Sequence, residues 1–155
     1  DYPLDNSSNF TINTTKPVAF GLNLRIPAWA GEATHIRVNG KKVSATIKRG
    51  SFFEISRTWK NNDKIQLVFD MKTRLEPINA SHPEMVALLF GPLVLFPTNA
   101  PNTTYTAEQL LSASRKATYE WTIKIDKQEV KLKPFMAISD EKYCLYNKIK
   151  MVQKA

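Results

Sequence analysis

At 155 residues the chain fits one domain, long enough to bury about two-thirds of its unfolded surface. The formal net charge is +8, but the basic residues are spread along the chain, the densest groups being Lys41-Lys42, Lys48-Arg49 and the tail lysines Lys148, Lys150 and Lys154. With no RNA-binding aromatic signature and no zinc-finger spacing, nucleic acid is not an expected partner. No apolar run reaches the ~18 residues of a helical membrane span, so no membrane partner is expected either.

In chain order, residues 1–9 form a polar entry segment, and Phe10 and Ile12 begin a strand. Lys16-Pro17 then turns the chain into a strand over 18–26, where Leu22, Leu24 and Ile26 share one face and Asn23 and Arg25 the other. Pro27 stops it, and Trp29 is large enough to anchor the corner. Ile36 and Val38 lead into Asn39-Gly40, a dipeptide suited to the positive φ angles of a type I′ hairpin turn. The return is expected through Val43, Thr46 and Ile47. Phe53, Ile55 and Arg57 alternate in a further strand ending near Trp59, and Asn61-Asn62-Asp63 turns it into Ile65, Leu67 and Phe69. The chain continues extended over 71–77, then loops over 79–84.

Met85 to Phe96 is nearly all apolar, but the central Gly91-Pro92 makes it two short core strands rather than one helix. Residues 97–105 read as a linker. Thr106 and Gln109 have the spacing of a capping box, which predicts a short helix to about Ser114. Strands follow over 119–125 and through Val130 and Leu132, with a last one over 143–149. The pattern predicts an all-β, antiparallel, jelly-roll-like β-sandwich with one short helix near 106–114. It is taken as a single domain over 1–155, and the one candidate internal junction is 97–118. A chain opening on Asp1 rather than Met is expected to be a piece of a longer protein.

Several of these segments together resemble glycoside hydrolase family 127, the β-L-arabinofuranosidase-like enzymes, in the region C-terminal to the catalytic barrel. The matching pieces are Leu24-Arg25-Ile26-Pro27-Ala28-Trp29, Val38-Asn39-Gly40, Gly50 through Trp59, and Asp63-Lys64-Ile65. Ala87-Leu88, Gly91-Pro92-Leu93-Val94, Pro134-Phe135, Tyr143 and Tyr146 follow in order. The resemblance spans roughly 18–147. It implies a bacterial carbohydrate-metabolism enzyme whose catalytic residues lie in an (α/α)6 barrel preceding Asp1. This chain would then be a non-catalytic accessory domain, packing against that barrel or mediating contact with a second copy as a homodimer. The sequence itself retains no address, and the resemblance is compatible with export of the parent.

The residues present no catalytic constellation. His35 and His82 lack ligand-spaced partners, so no metal and no cofactor is expected. Glu54 with Asp63, or Glu76 with Glu84, are the carboxylate pairs to weigh for glycoside hydrolysis, which needs two carboxyls about 5–10 Å apart across a cleft. Nothing in their spacing sets them in one. Cys144, the only cysteine, is expected to be a small buried hydrophobe in a strand. Five N-x-Ser/Thr sequons stand at Asn6, Asn9, Asn13, Asn79 and Asn102; in a bacterial chain these are turn-rich sequence rather than glycosylation sites. Trp29 and Trp59 are expected to be mostly buried. If the chain is instead an independent carbohydrate-binding module, Tyr119 and Trp121 on one strand face are the preferred sugar contacts.

Overall fold

The structure, a computed structural model, describes residues 2–100 and 103–151. The Asn102 sequon, the middle of the 97–105 stretch and the tail lysine Lys154 lie outside these residues. Among the described residues the fold is all-β with one five-residue α-helix and a three-residue 3-10 helix, Phe135–Ala137. The chain forms two compact units, residues 1–71 and 72–155, and the 97–118 stretch lies inside the second.

The first unit is a two-sheet sandwich. One sheet has the order β1 (Ser7–Thr11), β6 (Lys64–Val68), β3 (His35–Val38), β4 (Lys41–Lys42), all antiparallel. The other is a ribbon of two nine-residue strands, β2 (Val18–Ile26) and β5 (Ser51–Trp59), paired in register from Val18↔Trp59 to Ile26↔Ser51. Strand alternation sends Leu24 and Ile26 of β2 and Trp59 of β5 into one core with Ile36, Val38, Ile65 and Leu67 of the facing sheet. Trp59 is fully buried, stacks near Phe20 with ring centroids 5.8 Å apart, and donates Nε1–H to the Phe20 carbonyl at 3.1 Å. Trp29 is only half-buried; it packs on Phe69 at 5.4 Å, at the corner where Pro27 ends β2.

Asn39 and Gly40 take φ of 50° and 80°, the two positive angles that a type I′ turn requires. The returning strand is shorter than the sequence pattern predicts. Only Lys41 and Lys42 pair with β3, and one further bond, Val43 N–H to the Ile36 carbonyl at 2.9 Å, extends the hairpin. Residues 43–47 then leave the ladder, because Val43 and Ile47 turn to pack against the core.

In the second unit β8 (Met85–Phe90) is the hub. β7 (Thr73–Pro77) lies along one edge, while β9 (Leu93–Pro97) and β14 (Asn147–Ile149) share the other. Gly91, with φ 53°, opens the tight Gly91-Pro92 turn that splits the apolar run into β8 and β9, as predicted. The sheet continues from β9 through β13 (Gln128–Pro134) and β12 (Glu120–Ile125) to β11 (Ser114–Ala117), a strand the sequence pattern does not reveal. β10 (Thr104–Tyr105) pairs in parallel with β14, the exception among otherwise antiparallel ladders of the described residues. The last strand covers only Asn147–Ile149; Tyr143 makes a single bridge to Thr98.

Helix α1 (Ala107–Leu111) has the predicted capping box complete. Thr106 Oγ1 accepts from Gln109 N–H at 3.1 Å, and Gln109 Oε1 accepts from Thr106 N–H at 2.8 Å. The helix buries Leu110 and packs against β7 and β12.

Candidate functional site

Each candidate carboxylate is held by its own local partners. Asp63 is buried beneath the Asn39-Gly40 turn. It accepts from Asn39 Nδ2 at 2.8 Å and from Lys60 N–H at 2.8 Å, while Asn39 Oδ1 in turn accepts from Lys64 N–H at 2.8 Å. The Lys60 backbone bond, then the Asn39 side-chain bond, lower its pKa. This is the chemistry of a turn buckle, and it keeps the carboxylate ionised. Glu54 lies on the outward face of β5, exposed, and accepts from Ser56 Oγ. Its carboxylate folds over Gly21, where an added Cβ would stand 2.6 Å from Oε1. Asp63 and Glu54 therefore belong to different surroundings, one buried turn and one wet strand face.

Glu76 pairs with Arg74 Nε at 2.9 Å, two residues away along β7. Glu84 faces His82 Nδ1 at 3.4 Å; a backbone hydrogen bond at Glu84 is the main cause of its lowered pKa. His35 Nδ1–H donates to the Ala33 carbonyl at 3.0 Å, and its Nε2 accepts from Arg37 Nε at 3.4 Å. Both ring nitrogens are thus engaged by local neighbours. Among the described residues no group of three or more His, Cys, Asp or Glu side chains has the geometry to hold a metal ion.

Cys144 is exposed, not buried as the sequence pattern suggests, because the strand expected around it does not form. It lines a cleft of ≈ 380 Å³ with Tyr105, Tyr146, Asn147 and Lys148. The described sequon residues Asn6, Asn9, Asn13 and Asn79 are all exposed.

The two preferred sugar contacts separate. Tyr119 is 45% exposed in the turn between β11 and β12, whereas Trp121 is completely buried. Trp121 lies 5.5 Å from the Phe90 ring, and the Arg115 guanidinium lies over the indole at 5.1 Å. Without an accessible face the indole offers no stacking platform, so Tyr119 and Trp121 do not form one exposed surface. The sequence pattern misses the exposed aromatic group the structure does assemble. Phe135 (65% exposed) and Tyr143 stand 6.3 Å apart, each packed edge-on against Phe96, and Met136 beside them is also exposed. Its one sequence signal is the Pro134-Phe135 and Tyr143 pieces of the family resemblance.

Residues 1–71 match the family model described as the middle domain of GH127 β-L-arabinofuranosidases. The match ends where the first compact unit ends. No curated protein matches the chain. Among solved structures, a glycoside hydrolase aligns with 97% of this chain at 21% identity and a TM-score of 0.73, over 31% of its own length. A GH127 β-L-arabinofuranosidase from Geobacillus stearothermophilus T6 aligns with 96% of the chain at 20% identity and a TM-score of 0.72, over 29% of its own. A further GH127 β-arabinofuranosidase aligns with 96% at 20% identity and a TM-score of 0.64, over 30% of its own. The chain thus spans less than a third of the length of each of these three solved proteins.

Proposed function

We propose that this chain is a non-catalytic β-sandwich accessory region of a glycoside hydrolase, lying C-terminal to a catalytic barrel. The match of residues 1–71 to a GH127 middle domain carries this reading. The chemistry of the described residues agrees with it. Glycoside hydrolysis needs an acid and a nucleophile or base facing one anomeric carbon, and each candidate carboxylate here is engaged by its own turn or strand neighbours. The exposed Phe135, Met136 and Tyr143 are the apolar surface that such a region would turn toward the rest of its protein.

The test is hydrolysis of a panel of aryl arabinofuranosides by the 155-residue chain and by the longer protein. Turnover only by the longer protein is expected. Turnover by the short chain, abolished by replacing one of its own carboxylates, would overturn the accessory reading. An independent carbohydrate-binding role rests on the exposed Tyr119 ring. It would appear as arabinan binding by the isolated chain that Tyr119→Ala removes.

A further inference from the structure

The first unit sets four strands against two, and the narrower sheet is open. No backbone hydrogen bond among the described residues links Val18–Ile26 to anything but β5. In a paired strand half of the N–H and C=O groups point away from the partner, so among the described residues one side of β2 has no strand beside it; the Phe20 carbonyl also accepts the Trp59 side-chain N–H. The interior is open at the same place. Val18 and Phe20 share the parity of Leu22, Leu24 and Ile26, which face the core, yet Val18 is 40% and Phe20 39% exposed.

The two edges of the ribbon are not equivalent. Solvent-exposed edge strands carry charges, prolines or bulges that deter pairing. β5 has Glu54 and Arg57, and its inward residues Phe53 and Ile55 are half-buried with Trp59 buried. β2 is uncharged from Val18 to Leu24, contains no proline, and runs in unbroken register for nine residues. Its outward residues Ala19, Gly21 and Asn23 are small and would not obstruct a neighbour.

We propose that the outer edge of β2 receives an extended segment of the longer polypeptide. The segment adds a strand beside Val18–Leu24, with apolar residues at alternate positions that cover Val18 and Phe20. This rests on the accessory reading, since the matched solved proteins have more than twice this chain's length beyond the aligned part. The backbone bonds of the added strand would supply affinity, and the alternating side chains its register.

Amide hydrogen exchange, compared between the 155-residue chain and the longer protein, tests it. In the isolated chain, β2 amides that point away from β5 are expected to exchange freely while their neighbours are protected. In the longer protein those same amides should gain about tenfold protection or more. Val18→Lys should leave the unfolding midpoint of the isolated chain nearly unchanged and lower that of the longer protein. Unprotected outward amides in the longer protein, or protection gained along β5 instead, would overturn the proposal. Protection of β2 that rises with concentration in the isolated chain would assign the edge to a second copy, and equally overturn it. Arabinofuranoside turnover by the isolated chain would end the accessory reading, and is measured independently of exchange.

Discussion

Single side chains fix the corners of this fold, and their partners decide what a substitution does. Trp59 is fully buried with its N–H satisfied. Trp59→Ala should therefore cost on the order of 3–5 kcal/mol in urea melts, and Trp29→Ala at its half-buried corner should cost less. Glu141 shows how pH enters. The Lys133 ammonium bonds its carboxylate, and Ser139 N–H donates to it at 2.8 Å. Lys133 first, then the Ser139 backbone bond, bring its pKa from the ordinary 4.5 to about 2. A lowered carboxyl pKa contributes stability that is complete above the unfolded value and fades as pH falls through the folded one. Glu141→Gln should lower the thermal midpoint at neutral pH, and the difference from the parent chain should close as the pH is taken from about 4.5 toward 2.

At the scale of elements, turns were more legible than the strands they join. Asn39-Gly40 announces its hairpin because few other dipeptides take two positive φ angles, and Thr106 with Gln109 announces the helix start. Gly40→Val should cost about 1–2 kcal/mol by φ strain alone, since no atom lies within 4 Å of the added Cβ position. Thr106→Ala should cost about 1 kcal/mol through the lost cap, read as fraying of amides near Gln109. The short return after Gly40 was not legible, because Val43 and Ile47 satisfy strand alternation and core packing equally well on paper. β11 was hidden for the opposite reason: all four of its residues are exposed, leaving no apolar alternation to read. Trp121 and Tyr119, two residues apart, looked like one face until the strand began at Glu120 and left Tyr119 in the turn.

Across the whole chain, the positive charge makes a testable question of the partner. A positive excess of eight suggests a polyanion partner, but several of these cations are already engaged locally. Arg25 lies over Phe52 and donates to the Gly50 carbonyl at 3.3 Å, Arg57 lies over Trp59, and Lys131 and Lys133 pair with Glu120 and Glu141. Fluorescence anisotropy with a labelled DNA oligonucleotide at physiological salt should show no saturable binding. A steep salt-dependent isotherm would instead indicate a phosphate-tracking surface.

Gly31 sits where the first unit closes, with its N–H donating to the Asp70 carbonyl at 2.8 Å. A Cβ there would stand 2.0 Å from Asp70 Oδ2, the same oxygen that accepts from Ala33 N–H at 3.2 Å. Asp70 N–H donates in turn to Thr34 Oγ1 at 3.0 Å. The corner over 31–34 is thus clasped by a residue one position short of the unit's end. Anyone excising residues 1–71 for study must keep Asp70, because a cut after Phe69 would remove every bond of that clasp while leaving each strand of the sandwich intact.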